Sequence, residues 1–102
     1  MLNILQLQTK VLSSKEQTLN YIEAYLKKFL HLQPDIVTLP EMFNCPYDNK
    51  SFLLYAEFEG DITYKFCQNL AKKYNIYLSA GSIPEKDAQN HLFRIFQLGM
   101  LL

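Results

Sequence analysis

Glu41 is the residue whose type and position most clearly point to chemistry. It follows the short apolar run 36–39 and Pro40, which cannot donate a hydrogen bond to a strand ladder. A carboxylate just past a buried strand points into the cleft where α/β sheets bind ligands. Partial burial there would make it a better proton acceptor, as a general base requires. The alternative is a glutamate that caps a helical turn or pairs with a cation, and position alone favours this alternative.

The other candidates for chemistry are two cysteines and a histidine, and only the histidine lies in the tail. Cys45 lies four residues after Glu41, and Cys67 lies in the middle of a helix-like segment. A buried structural thiol is the better interpretation of both cysteines. His91 stands alone in the tail, where a surface or core role is more common than catalysis.

The residues before Glu41 predict a strand followed by an amphipathic helix. Residues 2–8 alternate between apolar and polar types, which is typical of a strand. Ser13 and Ser14 fit a helix cap equally well, and apolar residues then recur at helical spacing. The helix is expected to end near 31–33, before a proline.

A second strand should then carry Glu41 to the edge of a sheet. Residues 36–39 are mostly β-branched and apolar, which predicts a strand buried on both faces of a parallel sheet. Strand, helix and strand in this order predict a right-handed βαβ unit. Glu41 then lies at the carboxyl edge of the sheet, where ligands usually bind.

The second half of the chain repeats the alternation of helix and strand. Residues 45–59 are predicted to be a loop with a short helical part at 52–55. Asp61 is a plausible cap for a second helix. A third strand is predicted over 76–80, and a turn over 81–85. The order predicts a single α/β domain with the arrangement β-α-β-α-β.

Composition excludes several classes of protein. The 102 residues suffice for one domain, with Lys+Arg 10 balanced by Asp+Glu 10. Zero net charge argues against a nucleic-acid partner, and the doublets at 27–28 and 72–73 are interpreted as solvated helix faces. No apolar stretch has membrane-spanning length, and the start lacks the pattern of a signal peptide. With only two cysteines, the sequence predicts a cytoplasmic protein with free thiols.

Residues 35–47, DIVTLPEMFNCPY, resemble the first catalytic segment of the nitrilase superfamily of carbon–nitrogen hydrolases. In both, an apolar strand leads into Leu-Pro-Glu, then an aromatic residue, an asparagine and a Pro-Tyr pair. Residues 58–61, FEGD, resemble the loop before the family's second helix. Residues 75–85, NIYLSAGSIPE, resemble its third strand and the turn after it. Together the stretches look most like the omega-amidase branch, which hydrolyses side-chain amides of small dicarboxylic acids.

The resemblance implies both a fold and a reaction. The fold is the amino-terminal part of a four-layer αββα sandwich. The reaction uses a Glu-Lys-Cys triad, in which Glu41 is the general base that takes the proton of a cysteine thiol. Phe43 and Tyr47 are candidate substrate contacts. The implied substrate is a small-molecule amide, no metal or organic cofactor is implied, and a homo-oligomer is compatible with the family.

The resemblance also implies that two triad members have no counterpart in this sequence. Lys86 follows the 81–85 stretch directly and is a surface-type residue, so it does not match the family's lysine. Neither Cys45 nor Cys67 matches the nucleophile, which lies later in relatives. We therefore expect a chain that is inactive alone.

The tail, 91–102, departs from the family pattern, with Arg94 where asparagine is usual. We expect residues 1–102 to be a truncated domain, as a shifted reading frame or an early stop would produce. One alternative is a non-catalytic scaffold or oligomerisation module derived from the same family. A coincidental match of an unrelated α/β domain is the weakest alternative, because three stretches agree in order.

Overall fold

The computed structural model of the chain describes residues 2–58, 61–89 and 91–99, with side chains through residue 92. Positions 59–60 of the FEGD stretch, the Arg94 side chain and residues 100–102 of the tail therefore lie outside the description. No helix within the described ranges is long and apolar enough to cross a membrane. The elements in chain order are β1 (Ile4–Gln6), α1 (Lys15–Lys27), a 3-10 helix (Leu30–Leu32), β2 (Ile36–Thr38), α2 (Asn49–Tyr55), α3 (Ile62–Tyr74), β3 (Tyr77–Lys86) and β4 (Leu92–Gly99).

The four strands form one sheet in the order β1-β2-β3-β4. β1, β2 and β3 are parallel, and β4 runs antiparallel to β3. Because the parallel strands follow each other in one direction across the sheet, right-handed crossovers bring α1 and α3 to the same face. The Lys73 Nζ of α3 lies 2.7 Å from Glu23 Oε2 of α1, which shows that the two helices are neighbours. The predicted α/β fold is confirmed. The helical part predicted at 52–55 is α2, which begins earlier, at Asn49, and β4 adds a fourth strand to the sheet.

The core lies between this helical layer and one face of the sheet. Leu5, Val37 and Leu78 are neighbours in the strand register, and Val37 and Leu78 are fully buried. Burying a side chain of this size contributes about 1.5–3 kcal/mol each. Other members of the same core are Leu7, Leu19, Ile22, Leu26, Leu39, Phe43, Cys67, Leu70, Ala71, Ile76, Ala80 and Ile83.

The start of α1 resolves the choice between the two serine caps. Ser14 is the N-cap, and its Oγ accepts the backbone N–H of Gln17 at 3.1 Å. The helix ends at Lys27, earlier than the sequence predicts. The 3-10 helix occupies part of the remaining stretch before β2.

The predicted turn at 81–85 is wrong, because β3 continues through it to Lys86. The pairing with β4 shifts register between Ser79 and Ser82, which marks a β-bulge. Gly81 lies within the bulge with a φ of +52°, a conformation that glycine adopts without strain. A bulge in a paired strand and a tight turn both favour a glycine such as Gly81, so the sequence of 81–85 does not distinguish them. Only the pairing with β4 shows that the stretch is a strand.

The opposite face of the sheet is partly exposed. Ile4 and Tyr77 stand in one cross-strand row with Ile36 between them, and they are 62% and 48% exposed. β1 is also an edge strand of the sheet. An apolar row beside an edge strand favours association.

We expect the isolated chain to associate in a concentration-dependent manner, which sedimentation velocity over a concentration series measures. Tyr77→Lys should weaken the association, because it places a charge in the apolar row. Tyr64→Lys, on the exposed side of α3, is the matched control and should leave association unchanged. A chain that stays monomeric throughout the series, with a sharp and reversible melt, would contradict the expectation.

Candidate active site

Glu41 opens the turn that follows β2 and Pro40. The last ladder bond before the turn is donated by Leu39 N to Ser79 O at 2.9 Å. The Glu41 side chain is exposed, and the Tyr47 hydroxyl donates to its Oε1 at 3.4 Å. The expected partial burial of this carboxylate is therefore wrong for this chain. The reason is that the next four residues of the turn take the inward positions, which leaves Glu41 on the outer side.

Met42 to Cys45 anchor the turn, since all four residues are buried. Phe43 belongs to the hydrophobic core, so its ring stabilises the turn from beneath. Tyr47 is 68% exposed, and its ring packs edge-on against Phe52 at 5.3 Å between centroids. Of the two predicted substrate contacts, the structure brings Tyr47 to the Glu41 carboxylate and places Phe43 in the core.

The β3 bulge lies directly against the backbone of this turn. Ser82 Oγ accepts the N–H of Met42 at 3.0 Å, and both residues are buried. Met42 has a φ of +50°, in the left-handed region. A Cβ added at Gly81 would lie 2.0 Å from the carbonyl oxygen of Pro40, so only glycine fits here. The third strand therefore supports the turn as well as the sheet.

Glu57 is a buried carboxylate that the sequence analysis did not single out. It is 4% exposed, and its Oε2 lies 2.7 Å from the Lys15 Nζ. Its Oε1 accepts the N–H of Thr63 at 2.8 Å, and its Oε2 also accepts the Thr63 hydroxyl and the Asn44 amide. A buried charge is tolerated only when it is paired and hydrogen-bonded in this way.

The Glu57 network, defined as Lys15, Asn44, Glu57 and Thr63, joins four parts of the fold. Lys15 begins α1, Thr63 lies in the first turn of α3, and Asn44 belongs to the turn that starts at Glu41. The backbone of Glu57 bridges to β3, because its N–H donates to Pro84 O at 3.1 Å and its carbonyl accepts Lys86 N at 2.8 Å. The network thus fixes the Glu41 turn against both helices and β3.

The network also explains why the side chain of Asp61 does not cap α3 as the sequence predicts. Asp61 occupies the predicted N-cap position of α3, but its side chain makes no capping hydrogen bond. Glu57 accepts the Thr63 N–H instead. The only local sign that Glu57 is buried is that it directly follows the apolar stretch 52–56. Its partner Lys15 lies 42 positions earlier, too distant for a spacing argument.

Both cysteines are buried free thiols, as the sequence predicts. Burial raises the pKa of Cys45 to about 11, with a further contribution from the nearby Asp48 charge. Burial raises the pKa of Cys67 to about 12, and the Glu57 carboxylate adds to it. Neither thiol is therefore ionised at neutral pH, the state that a nucleophile needs.

The remaining candidates, Lys86 and His91, each contact a neighbouring side chain. The Lys86 Nζ lies 5.0 Å from the centroid of the Phe58 ring, a cation–π contact. His91 lies in the β3–β4 hairpin, with its Nδ1 2.9 Å from Asp87 Oδ2. Asp87 accepts hydrogen bonds from the backbone N–H of His91, from the His91 ring and from the backbone N–H of Gln89. These bonds hold the pKa of Asp87 below its usual range. His91 thus helps to close the hairpin.

Glu57→Ala should destabilise the chain strongly, because it leaves Lys15, Thr63 and Asn44 without their shared acceptor. Removing one partner of a buried ion pair costs about 3–5 kcal/mol. Since Lys15 is 22% exposed, we expect a loss near the lower end, about 3 kcal/mol, measured by urea denaturation. The control is Glu16→Ala, an exposed glutamate on α1, which should cost about 1 kcal/mol or less. Equal losses in the two variants would refute the role of the network.

The folded chain should protect both thiols from a disulfide reagent at neutral pH, with rapid reaction only after urea is added. The same burial makes stability depend on pH. The stabilising contribution is complete below the ordinary thiol pKa of 9.0, and it is lost as pH rises towards the folded values of about 11 and about 12. Urea unfolding at about pH 8 and about pH 10 checks the direction. Rapid modification of either thiol without urea would contradict the burial.

The sequence profile of the carbon-nitrogen hydrolase family matches residues 2–99 of the chain. The omega-amidase NIT2 of Bos taurus is 42% identical over 83 residues, which cover 80% of this chain and 30% of that protein. The omega-amidase NIT3 of Saccharomyces cerevisiae is 37% identical over 79 residues, covering 72% of this chain and 27% of the yeast protein. The chain therefore spans about 30% of the length of the curated relatives it matches.

Solved structures show the same fold. The crystal structure of Saccharomyces cerevisiae Nit3, a member of branch 10 of the nitrilase superfamily, superimposes with a TM-score of 0.87 and 27% identity. The match covers 97% of this chain and 40% of Nit3. A carbon-nitrogen hydrolase from Helicobacter pylori matches 93% of this chain and 35% of its own, with a TM-score of 0.78 and 23% identity. By its sequence over residues 2–99 and by its fold, the chain belongs to the carbon-nitrogen hydrolase family.

Proposed function

We propose that Glu41 is the general base of an omega-amidase-like hydrolysis of a small-molecule amide. The observation that carries the proposal is the position of Glu41, whose exposed carboxylate follows β2 on a turn anchored by buried neighbours. A base needs access to the substrate and a fixed backbone, and this turn offers both. Relatives named omega-amidases support the choice of an amide as substrate.

In the proposed reaction, the Glu41 carboxylate takes the proton of a cysteine thiol. The thiolate then forms a bond to the amide carbon, and protonated Glu41 gives its proton to the departing nitrogen as the C–N bond breaks, which releases ammonia or an amine and restores the carboxylate. A lysine cation stabilises the negative charge that develops on the amide oxygen. Glu41 next accepts a proton from the water whose oxygen bonds to the thioester carbon, and it returns that proton to the cysteine sulfur as the C–S bond breaks, so the same carboxylate serves both steps.

Tyr47 is the proposed substrate contact beside this base. Its hydroxyl already donates to Glu41 Oε1, and its ring presents an exposed aromatic surface next to the carboxylate. Phe43 supports the site differently, because its buried ring holds the turn in place. Tyr47→Phe removes the hydroxyl while it keeps the ring, which separates the two contributions of this residue.

We propose that this chain alone does not complete the reaction. Cys45 and Cys67 are its two cysteines, and both are buried thiols whose pKa is raised far above neutrality. Lys86 is engaged with the Phe58 ring. The nucleophile and the lysine of the mechanism would therefore come from the part of the relatives' length that this chain does not match. The buried free thiols also support a reducing compartment, which we propose is the cytoplasm and which fluorescent tagging would test.

The second candidate is a scaffold or homo-oligomerisation module without catalytic activity. The exposed apolar row of Ile4 and Tyr77 favours it. This function would not depend on Glu41, whereas the amidase function would. Substitution of Glu41 therefore discriminates between the two candidates.

To test the base, this chain replaces the matching segment of the Bos taurus omega-amidase NIT2, and ammonia release from succinamate is measured. We expect the chimera to be active and Glu41→Gln to lower kcat by about 10²–10⁴-fold, because an amide cannot accept the proton. Glu16→Gln is the matched control and should retain full activity. The unfused chain should release no ammonia. An active chimera that tolerates Glu41→Gln would rule out the base, and ammonia release by the unfused chain would overturn the proposal that it is incomplete.

A further inference from the structure

The two peptide groups that flank Glu41 are both held by consecutive residues of the β3 bulge. Pro40, which precedes Glu41, lies against Gly81, and Met42, which follows it, is bonded to Ser82. We propose that Ser82 is a positioning residue, whose hydroxyl fixes the direction in which the Glu41 side chain projects. The proposal rests on the proposed function for its consequence in catalysis, but its geometry can be tested separately.

Ser82 acts on the peptide group that follows Glu41. Its Oγ accepts the Met42 N–H at 3.0 Å, and neither residue is accessible enough for water to replace this bond. The φ of Met42 is +50°, a conformation that residues other than glycine rarely adopt without a compensating contact. The hydrogen bond to Ser82 is such a contact, and it lies 40 positions away in the sequence.

Gly81 acts on the peptide group that precedes Glu41. The Pro40 carbonyl lies so near that a Cβ at position 81 would be 2.0 Å from its oxygen and 2.6 Å from its carbon. Close packing on this side prevents the peptide group from rotating towards β3. The Leu39 N–H, bonded to Ser79 O at 2.9 Å, secures the residue before it.

The direction of a Cα–Cβ bond follows from the orientation of the two peptide groups on either side. With Pro40 held by packing and Met42 held by a hydrogen bond, the Glu41 Cβ has one direction available. The carboxylate can therefore be exposed and still be oriented, since the backbone on both sides of Glu41 is held and the Tyr47 hydroxyl donates to its Oε1. A general base benefits from such preorganisation, because small errors of placement lower the rate strongly.

The bulge is the feature of β3 that makes both contacts available. The pairing with β4 shifts between Ser79 and Ser82, so the bulge brings Gly81 and Ser82 together against the turn. In a regular strand, successive side chains point to opposite faces. The bulge thus connects the sheet register to the position of Glu41.

The test is an NMR comparison of the full chain with Ser82→Ala and Ser82→Thr, at a concentration where sedimentation shows a monomer. Three signals report on the geometry: the intraresidue HN–Hα NOE of Met42, which is strong at a positive φ, the exchange rate of the Met42 amide, and the NOE between the Glu41 side chain and the Tyr47 ring. Ser79→Ala, an exposed serine of the same strand, is the matched control.

We expect Ser82→Ala to raise the exchange rate of the Met42 amide by roughly three- to tenfold, the usual effect of losing one hydrogen bond. The positive φ and the Glu41–Tyr47 NOE should be lost with it. Ser82→Thr keeps the Oγ and should restore all three signals, and Ser79→Ala should leave them unchanged. A Ser82→Ala chain that remains folded with all three signals intact would overturn the proposal.

If Ser82→Ala does not fold, the unsubstituted chain decides the matter. A protected Met42 amide together with a strong intraresidue HN–Hα NOE supports the proposal, and an unprotected amide or a weak NOE overturns it. These signals do not depend on catalysis. Ammonia release that does not depend on Glu41 would therefore refute the proposed base alone, while absence of the Met42 signature would refute the positioning role alone.

Discussion

A carboxylate buried as deeply as Glu57 must have its charge compensated within the protein, and this requirement draws distant segments together. Lys15 supplies the positive charge from α1, and Thr63 supplies two hydrogen-bond donors from α3. Asn44 adds a donor from the Glu41 turn. Because each donor belongs to a different element, breaking the network at any one of them takes a hydrogen bond away from the buried Glu57 carboxylate.

The candidate site inherits its rigidity from this network and from the β3 bulge. The network holds the inner side of the turn at Asn44, whereas the bulge holds its backbone at Pro40 and Met42. Glu41 lies between these supports and is exposed. An exposed carboxylate on a well-supported turn combines access for a ligand with fixed geometry.

Local patterns in the sequence predicted the helices, the parallel strands and the place of Glu41, because each depends on neighbouring residues. The Ser14 cap and the short apolar run before Pro40 are examples. The predictions failed where contacts between residues far apart in the sequence determine the structure. The stretch 81–85 has the composition of a turn, but pairing with β4 makes it strand. The Glu57–Lys15 pair joins residues 42 positions apart, and no spacing rule connects them.

We conclude that the Glu57 carboxylate organises the site, and amide exchange of Thr63 in the folded chain tests this conclusion most directly. Amides in the first turn of a helix lack intrahelical partners and normally exchange quickly. We predict that the Thr63 amide, bonded to Glu57 Oε1 at 2.8 Å, exchanges at least roughly tenfold more slowly than the amides of its neighbours Ile62 and Tyr64. Equal exchange at the three amides, with the Val37 amide of β2 still protected, would contradict it.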